Sequence, residues 1–372
     1  MGKYLKEFEL ISQYEEYINS DMAILPNVSI INDINGIYYN PKVPKGPNYL
    51  KFVAEEDNST ISLNASTSPD IKYSLNGGDW TQWDYSAITL NTGDTVCMKG
   101  NNSNGFSKGF SSCNRFKMTG KISASGNIMS LLHDDDFKGK LIIPCNHCFY
   151  EMFYECTSLT TTPELPATTL TNSCYEEMFK GCTSLTNVPT TLPATTLTIN
   201  CYSSMFSGCT SLTMTPELPA TTLANGCYSQ MFFGCSSLVA APELPATTLA
   251  LHCYVNMFMN CTSLTTAPTI LPATTLTDYC YSSMFSRCTS LTTAPELPAT
   301  ILVSNCYNGM FSSCNKLNYV KMLATDISAN LCLNGWMGGV SSTGTFVKHP
   351  NMTSLPSGLS GIPNGWTVQD AA

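Results

Sequence analysis

Between Cys148 and Cys314 the apolar residues return in one fixed pattern. A unit opens on Cys, follows it with Tyr or Phe, places Met and Phe four and five residues on, and closes with a second Cys after eight. Cys227-Tyr228-Ser229-Gln230-Met231-Phe232-Phe233-Gly234-Cys235 is one example. Apolar positions at i, i+1, i+4, i+5 and i+8 match one face of a short amphipathic helix, so each unit is expected to carry one. Asn172, Asn225 and Asp278 just ahead of it supply N-cap chemistry, and Gly181, Gly208 and Gly234 near its end suit a left-handed C-cap. The next stretch, in its fullest form Leu291-Thr-Thr-Ala-Pro-Glu-Leu-Pro298, carries two prolines and cannot be helical throughout. Its Leu-Thr-Thr-Ala part predicts a short strand, stacked on its counterparts in a parallel sheet. The strand should stop at the proline, which has no ladder hydrogen bond to donate.

The leading cysteine recurs at Cys148, Cys174, Cys201, Cys227, Cys253, Cys280 and Cys306, at spacings of 26 or 27 residues. The second recurs at Cys156, Cys182, Cys209, Cys235, Cys261, Cys288 and Cys314. Self-similarity at such a period is the signature of a solenoid, in which each unit contacts only its neighbours. The longer units have Thr190-Thr191 and Thr269-Ile270 where the others have one Glu, an addition expected to bulge outward without breaking the stack. The runs Met-Phe-x-x-Cys-Thr-Ser-Leu and Leu-Pro-Ala-Thr-Thr-Leu resemble leucine-rich repeats of the bacterial surface-antigen (BspA-like) type, over roughly Ile122 to Val340. The resemblance implies an α/β leucine-rich-repeat solenoid of short parallel strands and short helices, with a role in binding at a cell surface. Two cysteines per repeat, and Thr-Thr where Ile is frequent, depart from the common form of that family.

Four regions are expected. Residues 1–47 form an amino-terminal anchoring segment and linker, with a helix over Glu7–Ser20 and a hairpin over Val28–Tyr39 turning at Asn35-Gly36. The run Tyr14-Glu-Glu-Tyr-Ile through Tyr38-Tyr-Asn-Pro41 resembles amino-terminal segments of tail-associated and prophage-encoded proteins of gut bacteria. Residues 48–120 read as a small all-β, immunoglobulin-like sandwich, with strand-like runs at Leu50–Ala54, Thr60–Leu63, Ile71–Leu75, Asp79–Trp83, Ala87–Leu90 and Thr95–Lys99. Residues 121–345 form the solenoid with degenerate caps, the last unit replacing the consensus by Cys332, Trp336, Met337 and Val340. Residues 346–372 form a tail folded over the last repeat.

Charge narrows the classes. Charged residues make up 12% of the chain, the formal charge is −9, and Lys180 and Arg287 are the only basic residues between Cys148 and Cys314. A surface so poor in cations excludes nucleic acid and anionic membranes as partners. No stretch is apolar enough to insert in a bilayer, and the opening residues are not a secretory leader, so the expectation is a removed leader or release by lysis. Of eighteen cysteines, fourteen lie in the two ladders. Two cysteines eight apart on one helix sit ~12 Å apart, and helices in adjacent repeats ~8–10 Å, both too far for a disulfide. Second cysteines stacked at ~4.8 Å leave an inter-repeat bridge open, although buried free thiols used as apolar filler are the main expectation.

Candidate chemistry is sparse. His133-Asp134-Asp135-Asp136 reads as a solvated loop, and Cys145-Asn146-His147-Cys148 offers three zinc ligands without a fourth, so no metal and no cofactor are expected. No phosphate loop, nucleophile elbow or paired-acid motif stands out. Three features remain as a binding surface. Glu164, Glu217, Glu243 and Glu296 form an acidic row for cations or a basic partner, or else a solvated turn. Thr195, Thr221, Thr247 and Thr274 lead Thr-Thr pairs that form a hydroxyl surface for glycans, or are β-branched residues chosen for a strand. Trp80 and Trp83 form a carbohydrate platform, or else core and edge cover. The expected function is non-catalytic recognition of protein or glycan on a cell surface, from a phage tail or virion, with homo-oligomer assembly through the amino-terminal region. The alternatives are a secreted adhesin of a gut bacterium and, more remotely, the accessory module of a carbohydrate-active enzyme.

Overall fold

In the computed structural model, which describes residues 48–352 and 355–372, the alternating segments after Asn48 form strands β1 (Leu50–Ala54), β2 (Ser59–Ala65), β3 (Lys72–Leu75), β4 (Thr81–Gln82), β5 (Ile88–Leu90) and β6 (Thr95–Lys99). The helix and hairpin expected within the first 47 residues lie outside the described residues. Two strands that the hydropathy pattern did not announce, β7 (Asn114–Thr119) and β8 (Ile122–Ser125), complete this part. One sheet has the order β5-β2-β7 and is antiparallel; the other runs β4-β3-β6-β1-β8-β9, its last strand being Leu159–Thr161. The inward residues of β1 and β7 meet between them, Phe52 against Phe116 at 5.4 Å.

Strand β9 (Leu159–Thr161) belongs to the first regular repeat, and it pairs in parallel with β8. The sheet therefore runs unbroken past Gly120, where the sequence suggested a boundary. β8 bonds antiparallel to β1 on one edge and offers the other edge to the repeats. Residues from Pro47 to Ala372 form one compact unit.

The helix expected in every repeat does not form. The chain is rich in strands and bridges, and α1 (Ser130–His133) is the only α-helix among the described residues. From Cys174 to Cys182 the backbone is instead a ribbon of turns whose amides alternate in their use. Those of Glu176, Met178, Lys180 and Cys182 bond three residues back, at 3.1–3.3 Å, to Ser173, Tyr175, Glu177 and Phe179. The amides between them, on Tyr175, Glu177, Phe179 and Gly181, bond to Cys201, Ser203, Met205 and Ser207 of the next repeat at 2.8–3.0 Å. A left-handed residue recurs at every fourth position, here Ser173 (φ 55°), Glu177 (φ 56°) and Gly181 (φ 78°). An α-helix tolerates no such residue in its interior. The apolar pattern fits this ribbon because its true period is four, not 3.6. Gly181, Gly208 and Gly234 are left-handed as expected, but as members of that series rather than as caps.

Parallel pairing of the other segments is present in reduced form. Between β9 and the last strands of the chain it shrinks to single bridges, such as Thr161 to Asn187, Ala240 to Thr266 and Thr293 to Tyr319. A proline two residues after each of Thr161, Asn187, Ala240, Thr266 and Thr293 withholds the donor that a longer ladder needs.

Inside the stack, side chains of equivalent rank touch from repeat to repeat. Tyr175, Tyr202, Tyr228, Tyr254, Tyr281 and Tyr307 form one column with ring centroids 5.6–6.0 Å apart. Phe153, Phe179, Phe206, Phe232, Phe258, Phe285 and Phe311 form a second at 5.3–5.8 Å. Every cysteine is unbridged. The leading cysteines fill space, whereas each second cysteine also donates its thiol to the phenylalanine carbonyl of the repeat before, Cys235 to Phe206 at 3.1 Å and Cys261 to Phe232 at 3.1 Å.

Both ends are closed by the same contacts. Phe116 of β7 stacks on Phe153 at 5.3 Å, its amide bonds to Met152, and its carbonyl accepts the Cys156 thiol, so β7 plays the part of a preceding repeat. At the other end the phenylalanine column stops at Trp336, tilted 55° to Phe311, whose indole donates to Gly361 at 3.0 Å. Strands β10 (Tyr319–Met322), β11 (Gly344–Lys348) and β12 (Trp366–Asp370) pair in parallel, so the tail adds rungs rather than only lying across the last repeat.

Two outcomes follow from this interior. Cys235→Ala removes a thiol donor and a buried sulfur, and should lower stability by about 1–3 kcal/mol, read as a fall in the urea midpoint at constant m. An unchanged midpoint would leave the thiol no role. Burial pushes all fourteen ladder thiols above their ordinary range. A group with a raised folded pKa gives stability that is intact below its unfolded value and is lost as pH rises. With an unfolded thiol near 8.5, each costs about half a kcal/mol at that pH and roughly 1–1.5 kcal/mol one unit higher, so fourteen together outweigh an ordinary domain's whole stability near pH 9.5. Circular dichroism against pH should show the stack unfolding cooperatively in this interval, and a signal unchanged to pH 10 would contradict it.

Candidate binding surface

The four glutamates of the expected acidic row are all bonded to their surroundings. Glu164 bridges to Asn127 through its backbone and accepts the side-chain amide of Asn48 at 2.9 Å. Glu217 accepts the Thr191 hydroxyl of the previous repeat at 3.1 Å. Glu243 accepts both the amide and the hydroxyl of Thr269 in the next repeat, at 3.0–3.2 Å. Glu296 pairs with Lys321 at 3.0 Å. The carboxylates of Glu217, Glu243 and Glu296 fasten one repeat to a neighbour and that of Glu164 holds Asn48 ahead of β1, while the longer units supply two of the partners through the threonine that replaces Glu. A shallow depression of about 120 Å³ lies beside Glu164, lined by Thr161–Glu164 and Asn187–Pro189.

The threonine pairs are arranged differently. Ile142, Thr169, Thr196, Thr222 and Thr248 follow one another in parallel bridges, and the chain pattern carries the row on to Thr275 and Ile301. Thr195, Thr221, Thr247 and Thr274 form the adjacent row, and both threonines of each pair are exposed. Local backbone chemistry explains this. In Ala-Thr-Thr-Leu the alanine and leucine turn inward, Ala220 and Leu223 being 1% and 7% exposed, which leaves both threonines at an outer corner. Threonines elsewhere in the stack bond to the previous repeat, as Thr186 does to Thr160 and Thr265 to Val239. Among the described residues, the ten hydroxyls from Thr168–Thr169 to Thr274–Thr275 have no such bond. At each end the strip meets an exposed isoleucine, Ile142 (62%) and Ile301 (60%).

The tryptophans separate. Trp83 is 3% exposed, donates its indole N–H to Ser86 at 2.9 Å and stacks near Phe116 at 6.1 Å, so it is core. Trp80 is half-buried: Tyr49 meets its ring edge at 4.9 Å, and the Lys99 ammonium lies 4.7 Å from its centre. Lys99 ends β6 and is itself buried, held by Asp134 at 2.7 Å and Asp135 at 2.7–2.8 Å. Burial works against its charge, yet the hydrogen bonds to these aspartates prevail and raise its pKa. The same bonds, with that from Tyr49, lower Asp135, while burial and Asp135 push Tyr49 up to about 12. The segment read as a solvated loop, His133–Asp136, is thus anchored on Lys99. Sequence reasoning missed this cluster, whose one visible signal was a lysine closing the apolar run Thr95-Val-Cys-Met-Lys99.

No group of three or more His, Cys, Asp or Glu side chains among the described residues is placed to hold a metal ion. No helix among them is long and apolar enough to cross a membrane. The difference between the tryptophans is measurable. Trp83→Ala should cost about 3–5 kcal/mol in chemical denaturation, and Trp80→Ala only about 0.5–2 kcal/mol through the lost cation–π contact. Equal losses would contradict the assignment.

No protein-family model matches the chain, and no curated protein does so significantly. Among solved structures, a leucine-rich repeat protein from Bacteroides ovatus is similar at 14% identity and a TM-score of 0.30, over 59% of this chain and 63% of that one.

Proposed function

We propose that this chain is a non-catalytic recognition protein, built as a leucine-rich-repeat solenoid of the bacterial surface-antigen kind, that binds a glycan at a cell surface through its double row of threonines. The carrying observation is the strip itself: exposed hydroxyls on five successive repeats, at the near-constant rung spacing of a parallel stack, with none engaged within the protein. Five rungs at ~4.8 Å span about 20 Å, enough for several units of an extended polysaccharide to meet the same hydroxyl pair repeatedly. Isoleucines at both ends offer apolar contact where the hydroxyls stop. The glutamate row is a weaker candidate, since each carboxylate already has a partner.

The setting that we favour is display on a phage tail or virion, with residues 1–47 as the anchor and the site of any homo-oligomer contact. The likeness of Tyr14–Pro41 to tail-associated segments supports it. The likeness of the repeats to bacterial surface antigens supports the second reading, a secreted adhesin of a gut bacterium.

The test is binding of the fluorescently labelled chain to intact gut bacteria and to mucin, beside the triple variant Thr195→Val, Thr221→Val, Thr247→Val. These hydroxyls have no internal partner, so the variant should keep the wild-type urea midpoint and bind at least tenfold more weakly. Strain-selective binding to bacteria supports the virion reading, and binding to mucin alone supports the adhesin. Undiminished binding by the variant would reduce the row to strand-forming residues.

A further inference from the structure

Cys145-Asn146-His147-Cys148 stands at the head of the stack, and the fold uses only its last residue in a ladder. In later units the position three before the leading cysteine holds Thr171, Thr198, Ala224, Ala250, Thr277 or Val303. That position closes a turn on the leading cysteine: the Cys201 amide bonds to the Thr198 carbonyl at 3.3 Å. In the first unit alone it holds a second sulfur. Cys145 and Cys148 stand three residues apart across a turn whose third residue, His147, is left-handed (φ 59°).

Their surroundings differ in a useful way. Cys148 is fully buried, whereas Cys145 is only partly buried. The Cys145 sulfur packs against the loop from β6 to β7, where a Cβ added to Gly105 would lie 2.1 Å from it, so only glycine leaves it room. It also lies 3.7 Å from the Ser107 carbonyl. The same loop carries Lys108 and borders a depression of about 160 Å³, lined by Thr67–Pro69, Asn101–Phe106 and Lys108.

We propose that Cys145 and Cys148 form a thiol–disulfide exchange site, with Cys145 as the attacking sulfur, Cys148 as the resolving one, and a low-molecular-weight disulfide as the substrate. The Cys145 thiolate attacks one sulfur of the disulfide, forming a mixed disulfide and expelling one thiolate. Cys148 then attacks the Cys145 sulfur, closing the 145–148 bond and expelling the second thiolate, which takes up the Cys148 proton. Two electrons pass from the protein pair to the small disulfide, which leaves as two thiols. The Cys148 thiol, aided by Lys108, holds Cys145 below the ordinary thiol range, and burial raises Cys148, which suits these roles. Exposure selects the site: the other ladder thiols are sealed in the core.

The experiment is incubation of the folded full chain with oxidised glutathione, acid quenching, alkylation and peptide mapping. The expected product is a 145–148 disulfide without retained glutathione, formed at a rate whose pH midpoint lies below the ~8.5 of a free thiol. Cys148→Ala should trap glutathione on Cys145, and Cys145→Thr, which restores the residue of other repeats, should abolish reaction at this peptide. A wild-type map with glutathione retained on Cys145, with Cys145 and Cys148 both unreacted, or with buried ladder cysteines oxidised as readily, overturns the proposal. The wild-type map decides without the variants.

Discussion

On the turn face of each repeat, half of the backbone amides are satisfied within the repeat and half by the next one. The rest of the structure depends on this division. Unpaired buried amides are costly, so no single unit is stable alone, and the stack holds only if both of its ends are supplied with partners. The amino-terminal sheets provide them through β7 and β8, and the carboxy-terminal rungs through Trp336, β11 and β12. These parts are therefore caps in a physical sense, although only one of them resembles a repeat.

The columns inside the stack follow from the same register. Once equivalent amides and carbonyls are joined at a fixed rise, equivalent side chains lie above one another, and a ring stacks on a ring of its own kind. Interplanar angles of 4–11° across most of both columns show how little the register drifts. The second cysteine suits its place because it is small, apolar and still a donor for the carbonyl beneath it. Serine would bury a more strongly hydrated group there, and alanine would donate nothing.

The register also sorts the outer face. Side chains that reach a neighbouring repeat become staples, as those of Glu217, Glu243, Glu296, Thr186 and Thr265 do. Side chains at the Ala-Thr-Thr-Leu corner point away from both neighbours and remain free for something outside the protein. Chemically similar residues thus divide into structural and available sets by position alone.

The sequence by itself determined the period, the apolar interior, the strands from Leu50 to Lys99, and the outward Thr-Thr pairs, because each of these is a local pattern of side-chain polarity. It left the backbone between the two cysteines open. Cys, Tyr, Met, Phe and Cys at steps of four fit one face of a short helix almost as well as a turn ribbon over nine residues. Gly181, Gly226 and Gly309 at left-handed positions, with Asn200 and Asn256, were the signal that could have separated them. Only the tertiary structure decided that alternate amides cross to the next repeat, that β8 joins the sheets to the stack, and that Lys99 anchors Asp134 and Asp135 from far along the chain. Those choices rest on partners distant in sequence, and no local pattern records which distant group will satisfy a buried donor or charge.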